Sequence, residues 1–348
     1  MATNASCDDF LKPVDLCQRR LFGLDLIRAI AIGSVVYVHS AAMLASTGHN
    51  FLPLWLDGVE LFFVLSGFLI GGLLIEISER EPTARAWMIF ITRRWMRTLP
   101  AYFAVGTVLL AMQSHVQQRL YYAVLYGTLT QNLIRPMPED NWFGVSWSLT
   151  IEEWFYLLFG AIFLLFARML GRRGQWLALS VFLVLPLMGR LAIPVQLDFD
   201  LYVRKVVVIR LDAIAYGVVL ARLYADRSRL FRAWKVAFIA GISILAAVYI
   251  WPLSLNIPVT RAISLSITLI GWALCFPAAL RLAQPHGFLG DCIVAVSQQS
   301  YAIYLIHLTF LTYCERAAAN GHLPWQLLVP IALSATWIVS YLSFRFFE

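Results

Sequence analysis

The sequence predicts an all-α polytopic membrane protein, a helical bundle of about ten transmembrane helices with both termini cytoplasmic. Three observations carry this. Hydrophobic residues make up 60% of the 348 residues and charged residues 14%, where a soluble domain carries about 25% charged. From Leu21 onward the chain is a succession of apolar runs, each about the twenty residues that cross a bilayer at ~1.5 Å per residue. Lysine and arginine crowd into alternate loops between those runs.

The runs fall at 21–45, 56–78, 96–113, 144–167, 176–193, 205–222, 234–252, 261–281, 297–316 and 326–346. Residues 1–20 are polar and read as a cytoplasmic tail, and residues 21–348 as one transmembrane domain. No cleavable signal peptide is expected, because the run after the tail is too long for a signal core. A shorter apolar piece at 120–134 reads as interfacial or re-entrant. The five cysteines, Cys7, Cys17, Cys275, Cys292 and Cys314, show no disulfide framework and no metal-ligand spacing, so no metal is expected. The net charge of +7 is spread by topology rather than on one face, which argues against nucleic acid as a partner.

One set of loops carries Lys12, Arg19 and Arg20, then Arg80, Arg85, Arg93, Arg94 and Arg97, then Arg168, Arg172 and Arg173, then Arg222 to Lys235, and finally Arg281 and Arg345. The alternate set has Arg119, Arg135, Arg190, Arg204, Lys205, Arg261 and Arg316. The richer set is assigned to the cytoplasm.

Ionisable residues inside apolar runs are costly and mark function. The first run holds Asp25, Arg28 and His39. Arg28 and His39 are eleven positions apart, ~1100° at ~100° per residue, so they share a helix face, with Asp25 within ~60° of Arg28. His39 lies ~9 Å from the outer end of its run, Glu152 ~12 Å and His307 ~14 Å, so the three fit one layer in the outer half. A carboxylate beside an imidazole fixes its tautomer and raises its basicity, and the expectation is that Glu152 orients His39 as a general base. His307 is read as a supporting residue. Arg94 and Arg97, in a cytoplasmic loop before the third run, are three apart and project together as paired guanidinium forks suited to phosphate oxygens.

Six segments occur in an order that resembles the acyltransferase 3 family. They are Leu24-Asp-Leu-Ile-Arg28 followed by His39; Gly58-Val-Glu-Leu-Phe-Phe-Val-Leu-Ser66-Gly67; Arg94-x-x-Arg97; Trp147-Ser148-Leu-Thr-Ile-Glu152-Glu153-x-Phe155-Tyr156; Arg210-Leu-Asp212; and Ser300-Tyr301-x-x-Tyr304-Leu-x-His307. The resemblance covers nearly the whole chain. It implies a multispan O-acyltransferase of a cell inner (plasma) membrane. The enzyme would move an acyl group, acetyl first, from acetyl-CoA or another acyl-CoA to a hydroxyl of a carbohydrate such as lipopolysaccharide or another cell-envelope polysaccharide. Carried over by position, Arg28 and His39 form the arginine–histidine pair of the first span. Arg94 and Arg97 form the donor motif, which Arg28 joins, and Glu152 is the acidic position. Gly160 stands where relatives have proline and is expected to alter only a helix end. No esterase-like segment follows Glu348, so the membrane domain is expected to complete the transfer alone.

The residues agree with that chemistry, which needs a base, a grip on the donor phosphates and donors for an oxyanion. Ser66-Gly67 reads first as a small pair for close helix packing, with Ser66 as an alternative donor to the acyl carbonyl. Ser148, Tyr301 and Tyr304 are further hydroxyl donors, and Asp25 supports Arg28. Direct transfer and a covalent intermediate both stay open. Rival readings are acylation of a small hydrophobic molecule such as a macrolide, a proton-coupled transporter using the histidines and Glu152, and a non-catalytic envelope-assembly partner.

Overall fold

The computed structural model describes residues 21–46, 48, 57–112, 118–138, 142–321 and 324–347. The polar tail 1–20 and Glu348 lie outside the described residues. Among the described residues twelve α-helices follow one another: α1 Phe22–Ser46, α2 Gly58–Arg80, α3 Ala84–Ala111, α4 Arg119–Gly127, α5 Ser146–Leu170, α6 Arg172–Leu191, α7 Asp212–Ala225, α8 Arg229–Arg232, α9 Trp234–Ile250, α10 Pro258–Ala279, α11 Phe288–Ala319 and α12 Trp325–Phe347. Among the described residues no strand occurs.

Each of the ten apolar runs overlaps one of the longer helices, although the run at 205–222 is α-helical only from Asp212. Six helices, α1, α2, α5, α6, α10 and α12, are long and apolar enough to cross a membrane. The others fall short for separate reasons. The α3 helix carries Arg85, Arg93, Arg94 and Arg97, while α7 has 14 residues and α9 has 17. The 32-residue α11 carries Asp291, Glu315 and Arg316 near its ends and a polar stretch around Gln298.

Helix α2 runs through the middle, packed against α7, α1, α5 and α10, and α11 lies between α1 and α12. At the α2–α7 crossing the two backbones approach closely. A Cβ on Gly67 would lie 2.0 Å from the Ile214 carbonyl oxygen, and one on Gly217 would lie 2.2 Å from that of Val64. Small residues allow this spacing, and dispersion between the backbones stabilises it. Gly67 therefore takes the packing role expected of the Ser66-Gly67 pair, while Ser66 is left for another task.

Two motifs lock the bundle by buried charge pairs. Glu60 of α2 binds Arg210, and both are fully buried. Arg190 of α6 grips Asp212 with two parallel bonds, Nη1 to Oδ1 at 2.8 Å and Nη2 to Oδ2 at 2.7 Å. It also donates to the carbonyls of Ala262 and Ile209 and to Ser266. Every donor nitrogen of the buried Arg190 guanidinium is partnered, which offsets the cost of burying its charge, so Arg190 is an internal clamp rather than a loop charge.

The 120–134 piece forms α4 followed by irregular chain. Gln131 and Asn132 are buried there, and the Asn132 and Leu133 carbonyls accept from the Val207 and Val208 amides. The second segment of that contact belongs to an irregular connection between α6 and α7, a π-helical turn Asp200–Arg204 and a 3-10 turn Val207–Ile209. Non-helical backbone is tolerated inside a membrane bundle only where protein or a cavity surrounds it. Here each segment satisfies the other.

Gly160 lies inside α5 rather than at a helix end. A Cβ there would meet Phe90 at 3.3 Å and Trp87 at 3.5 Å, so its effect falls on the α3–α5 contact.

Candidate active site

A cavity of about 610 Å³ opens between α1, α2, α3, α5, α11 and α12. Its polar lining includes Asp25, Arg28, Ser66, Arg94, Arg97, Ser148, Glu152, Ser297, Tyr301 and Tyr304. Nine of the eleven residues singled out from sequence thus line one space, and His39 and His307 stand outside its wall.

The arginines reach the cavity by a route the sequence did not indicate. Thr83 caps α3, its Oγ1 accepting from the Ala86 amide at 3.2 Å. The helix therefore starts ten positions before Arg94, ~15 Å along its axis. Arg94 and Arg97 do not lie in a loop. They project from within α3, which continues through Pro100. The two are held differently. Arg94 sits over the Tyr156 ring at 4.9 Å and donates from Nη2 to the Tyr156 hydroxyl at 3.2 Å. Arg97 is exposed and has no side-chain partner among the described residues.

On α1, Asp25 and Arg28 line the cavity and His39 does not. Asp25 and Arg28 meet through Ser297 of α11, whose hydroxyl donates to Asp25 Oδ1 at 2.6 Å and accepts from Arg28 Nη1 at 3.1 Å. No sequence signal links Ser297 to this pair, because the link exists only once α11 packs on α1.

Glu152 is surrounded by Arg94, Tyr156 and Ser66, and Ser66 Oγ lies 2.5 Å from the Tyr156 hydroxyl. The expected contact from Glu152 to His39 does not form. His39 Nδ1 lies instead 2.8 Å from His307 Nε2, and the rings stack with centroids 5.1 Å apart. The shared layer thus divides: the histidines pair with each other, and the carboxylate lies among Arg94, Tyr156 and Ser66. The reason lies in packing, since α11 is the principal neighbour of α1 and brings His307 to His39. Tyr156 is a functional neighbour that sequence reasoning left without a role. Its position one turn after Glu152 puts both on one helix face, a signal that was available.

Tyr304 joins the two parts. It lines the cavity, and its hydroxyl lies 2.6 Å from Ser148 Oγ and 3.2 Å from the Val145 carbonyl. Its ring is 6.0 Å from that of His307. The Tyr301 hydroxyl donates to the Thr98 carbonyl at 2.6 Å, and the Thr98 hydroxyl donates to Glu153 Oε1 at 2.8 Å. Tyr301 therefore fastens α11 to α3 beside the arginines. Beyond the histidines lie Arg204 and Lys205. Burial opposes the charge on Arg204, but Asp57, Glu60 and Asp200 hold it more firmly protonated than usual. Among the described residues no group of three or more histidine, cysteine, aspartate or glutamate side chains is placed to hold a metal ion.

Fold and cavity together define a helical membrane protein built around an internal chamber with cationic walls. The chain belongs to the acyltransferase 3 family, whose acyltransferase-domain model matches residues 21–345. It is similar to the O-acetyltransferase OatA of Staphylococcus aureus strain NCTC 8325, 25% identical over 360 residues that cover 95% of this chain and 57% of that protein. It is also similar to the putative O-acetyltransferase SACOL0978 of strain COL, 24% identical over 357 residues with the same coverage. The chain thus spans little more than half the length of these relatives. No solved structure matches it significantly.

Proposed function

We propose that this chain is a multi-pass O-acyltransferase of a plasma membrane. It moves an acyl group, acetyl in the first instance, from acyl-CoA to a hydroxyl of a cell-surface or lipid-linked carbohydrate. The observation that carries this reading is the convergence of Arg28, Arg94 and Arg97 from two helices on one cavity, with a histidine pair one tyrosine beyond its wall. Family membership supports the acyl chemistry, and the relatives named as O-acetyltransferases support acetyl as the group.

Arg97, exposed and unpaired, and Arg94, fixed over Tyr156, form a grip for the phosphates of the donor, and Arg28 continues it along α1. The thioester then points toward Tyr304 and the histidines. His39 takes the proton from the acceptor hydroxyl as its oxygen attacks the thioester carbonyl. The carbon–sulfur bond breaks, and the CoA thiolate leaves and recovers the proton from His39. Serine and tyrosine hydroxyls on the wall, Ser66 and Ser148 among them, are placed to donate to the oxyanion.

Orientation follows from charge. The cytoplasmic assignment groups the ends of α2, α6 and α7, and the chain ties those ends together: Arg222 contacts Glu79 at 3.0 Å, Gln175 at 3.0 Å and Asp226, which also binds Arg172. Both termini then face the cytoplasm, and about ten helices cross.

Purified protein in detergent, given labelled acetyl-CoA, should release CoA in a manner that depends on acceptor. His39→Ala should lower that rate by about 10²–10⁴-fold, the usual cost of losing a general base. Turnover within about threefold of wild type would remove His39 from the mechanism.

A further inference from the structure

Resting on the reading of His39 as base, we infer that His307 is the positioning residue that holds His39 in its Nδ1-protonated tautomer, leaving Nε2 as the basic atom. The geometry assigns the protons in sequence. His307 Nδ1 lies 3.0 Å from the Ile303 carbonyl oxygen and 2.9 Å from that of Tyr304. Carbonyl oxygens only accept, so His307 Nδ1 carries a hydrogen. In a neutral imidazole the other nitrogen is then bare, so His307 Nε2 is an acceptor. His39 Nδ1 faces it at 2.8 Å and must be the donor. That leaves the lone pair of His39 on Nε2.

The arrangement does the work of the carboxylate in a carboxylate–histidine pair without using one. Two backbone carbonyls fix His307, and His307 fixes His39. Among the described residues no carboxylate hydrogen-bonds to either ring. The charged groups facing His39 are Arg204 and Lys205, which are themselves bound to Asp57 and Asp200, and Glu60 of the neighbouring α2 is engaged by Arg210. When His39 accepts a proton at Nε2, its Nδ1–H remains on His307 Nε2 as a charge-assisted bond, stronger than the neutral one. His307 is fully buried, so water does not compete for that contact.

The test has two arms. In bilayers, solid-state nitrogen-15 spectra of histidine-labelled protein, with His39 assigned by difference against His39→Ala, should show His39 protonated at Nδ1 and bare at Nε2 near neutral pH. The Nε2-protonated tautomer at His39 would overturn the inference, whatever the activity proves to be. In turnover assays, His307→Leu should lower kcat at least tenfold with the acyl-CoA KM unchanged. His307→Gln, whose side-chain oxygen can accept from His39 Nδ1, should recover most of kcat. Equal loss in both variants, or wild-type kcat in His307→Leu, would overturn it. Because the tautomer is read on wild-type protein, a His307 variant that fails to fold does not remove the test. Failure of His39 as base would appear separately, as activity in His39→Ala.

Discussion

Arg94 lies over the Tyr156 ring at 4.9 Å and donates to its hydroxyl at 3.2 Å, while Arg97, three residues on and in the same cavity, is exposed and unpaired among the described residues. The two arginines of one motif are therefore not equivalent. Lysine keeps the charge of either but can neither stack as a plane nor donate in a fork. Arg94→Lys is expected to cost at least tenfold in kcat/KM for acyl-CoA, and Arg97→Lys to cost less, because only Arg94 also loses its stacking on Tyr156. Steady-state kinetics over a donor titration checks this, and equal losses would mean that the Tyr156 contact does nothing for the donor.

Glu152 faces Arg94 and not His39. Glu152→Gln is accordingly expected to raise the acyl-CoA KM, because Arg94 loses the carboxylate that helps to fix it, and to leave the pH profile of kcat in place. A shifted profile with unchanged KM would restore the direct partnership with His39 that the sequence suggested.

The backbone contact between α2 and α7 predicts that Gly67→Ala is destabilising. The added methyl would lie 2.0 Å from the Ile214 carbonyl oxygen, so the helices must part. Overpacking of this kind costs about 1–3 kcal/mol. The thermal midpoint in detergent should fall, and Gly33→Ala, where nothing lies within 4 Å of the added atom, should leave it unchanged.

At the end of α7, burial pushes the Asp226 carboxyl up, but Arg222 and Arg172 outweigh it and hold the group below the ordinary carboxylate range. A carboxyl depressed on folding stabilises the fold above its unfolded pKa, about 4, and that contribution is lost as pH falls through the folded value. Asp226→Asn should therefore lower the thermal midpoint at neutral pH, with the gap from wild type closing in acid. A gap independent of pH would show that the carboxylate charge is not what holds the cluster.

The helical class was legible because run length and charge exclusion are one-dimensional signals, and so was the stripe of Asp25 and Arg28, which needs only the helical period. Ser148 and Tyr301 entered as hydroxyl donors without a depth, and only the packed helices bring them beside Ser66 and Glu152. Partnership was not legible. Depth put Glu152, His39 and His307 in one layer, but which two touch depends on the azimuth of three helices and on α1 packing against α11. The start of α3 was missed for a local reason. Arg85, Arg93, Arg94 and Arg97 made residues 83–97 read as a charged loop, whereas the Thr83 cap starts a helix there. Glu60 and Arg210 looked like separate motif residues and prove to be one buried pair.

The central claim is that acyl-CoA enters from the face bearing Arg80, Arg172 and Asp226 and that the acyl group leaves past His39 toward the opposite face. The most direct measurement uses sealed vesicles of known orientation, with labelled acetyl-CoA confined to one side and a carbohydrate acceptor to the other. Donor on the Arg172 face should give acylated acceptor, and donor on the Arg204 face alone should give none. Product from donor supplied only to the Arg204 face would contradict the account.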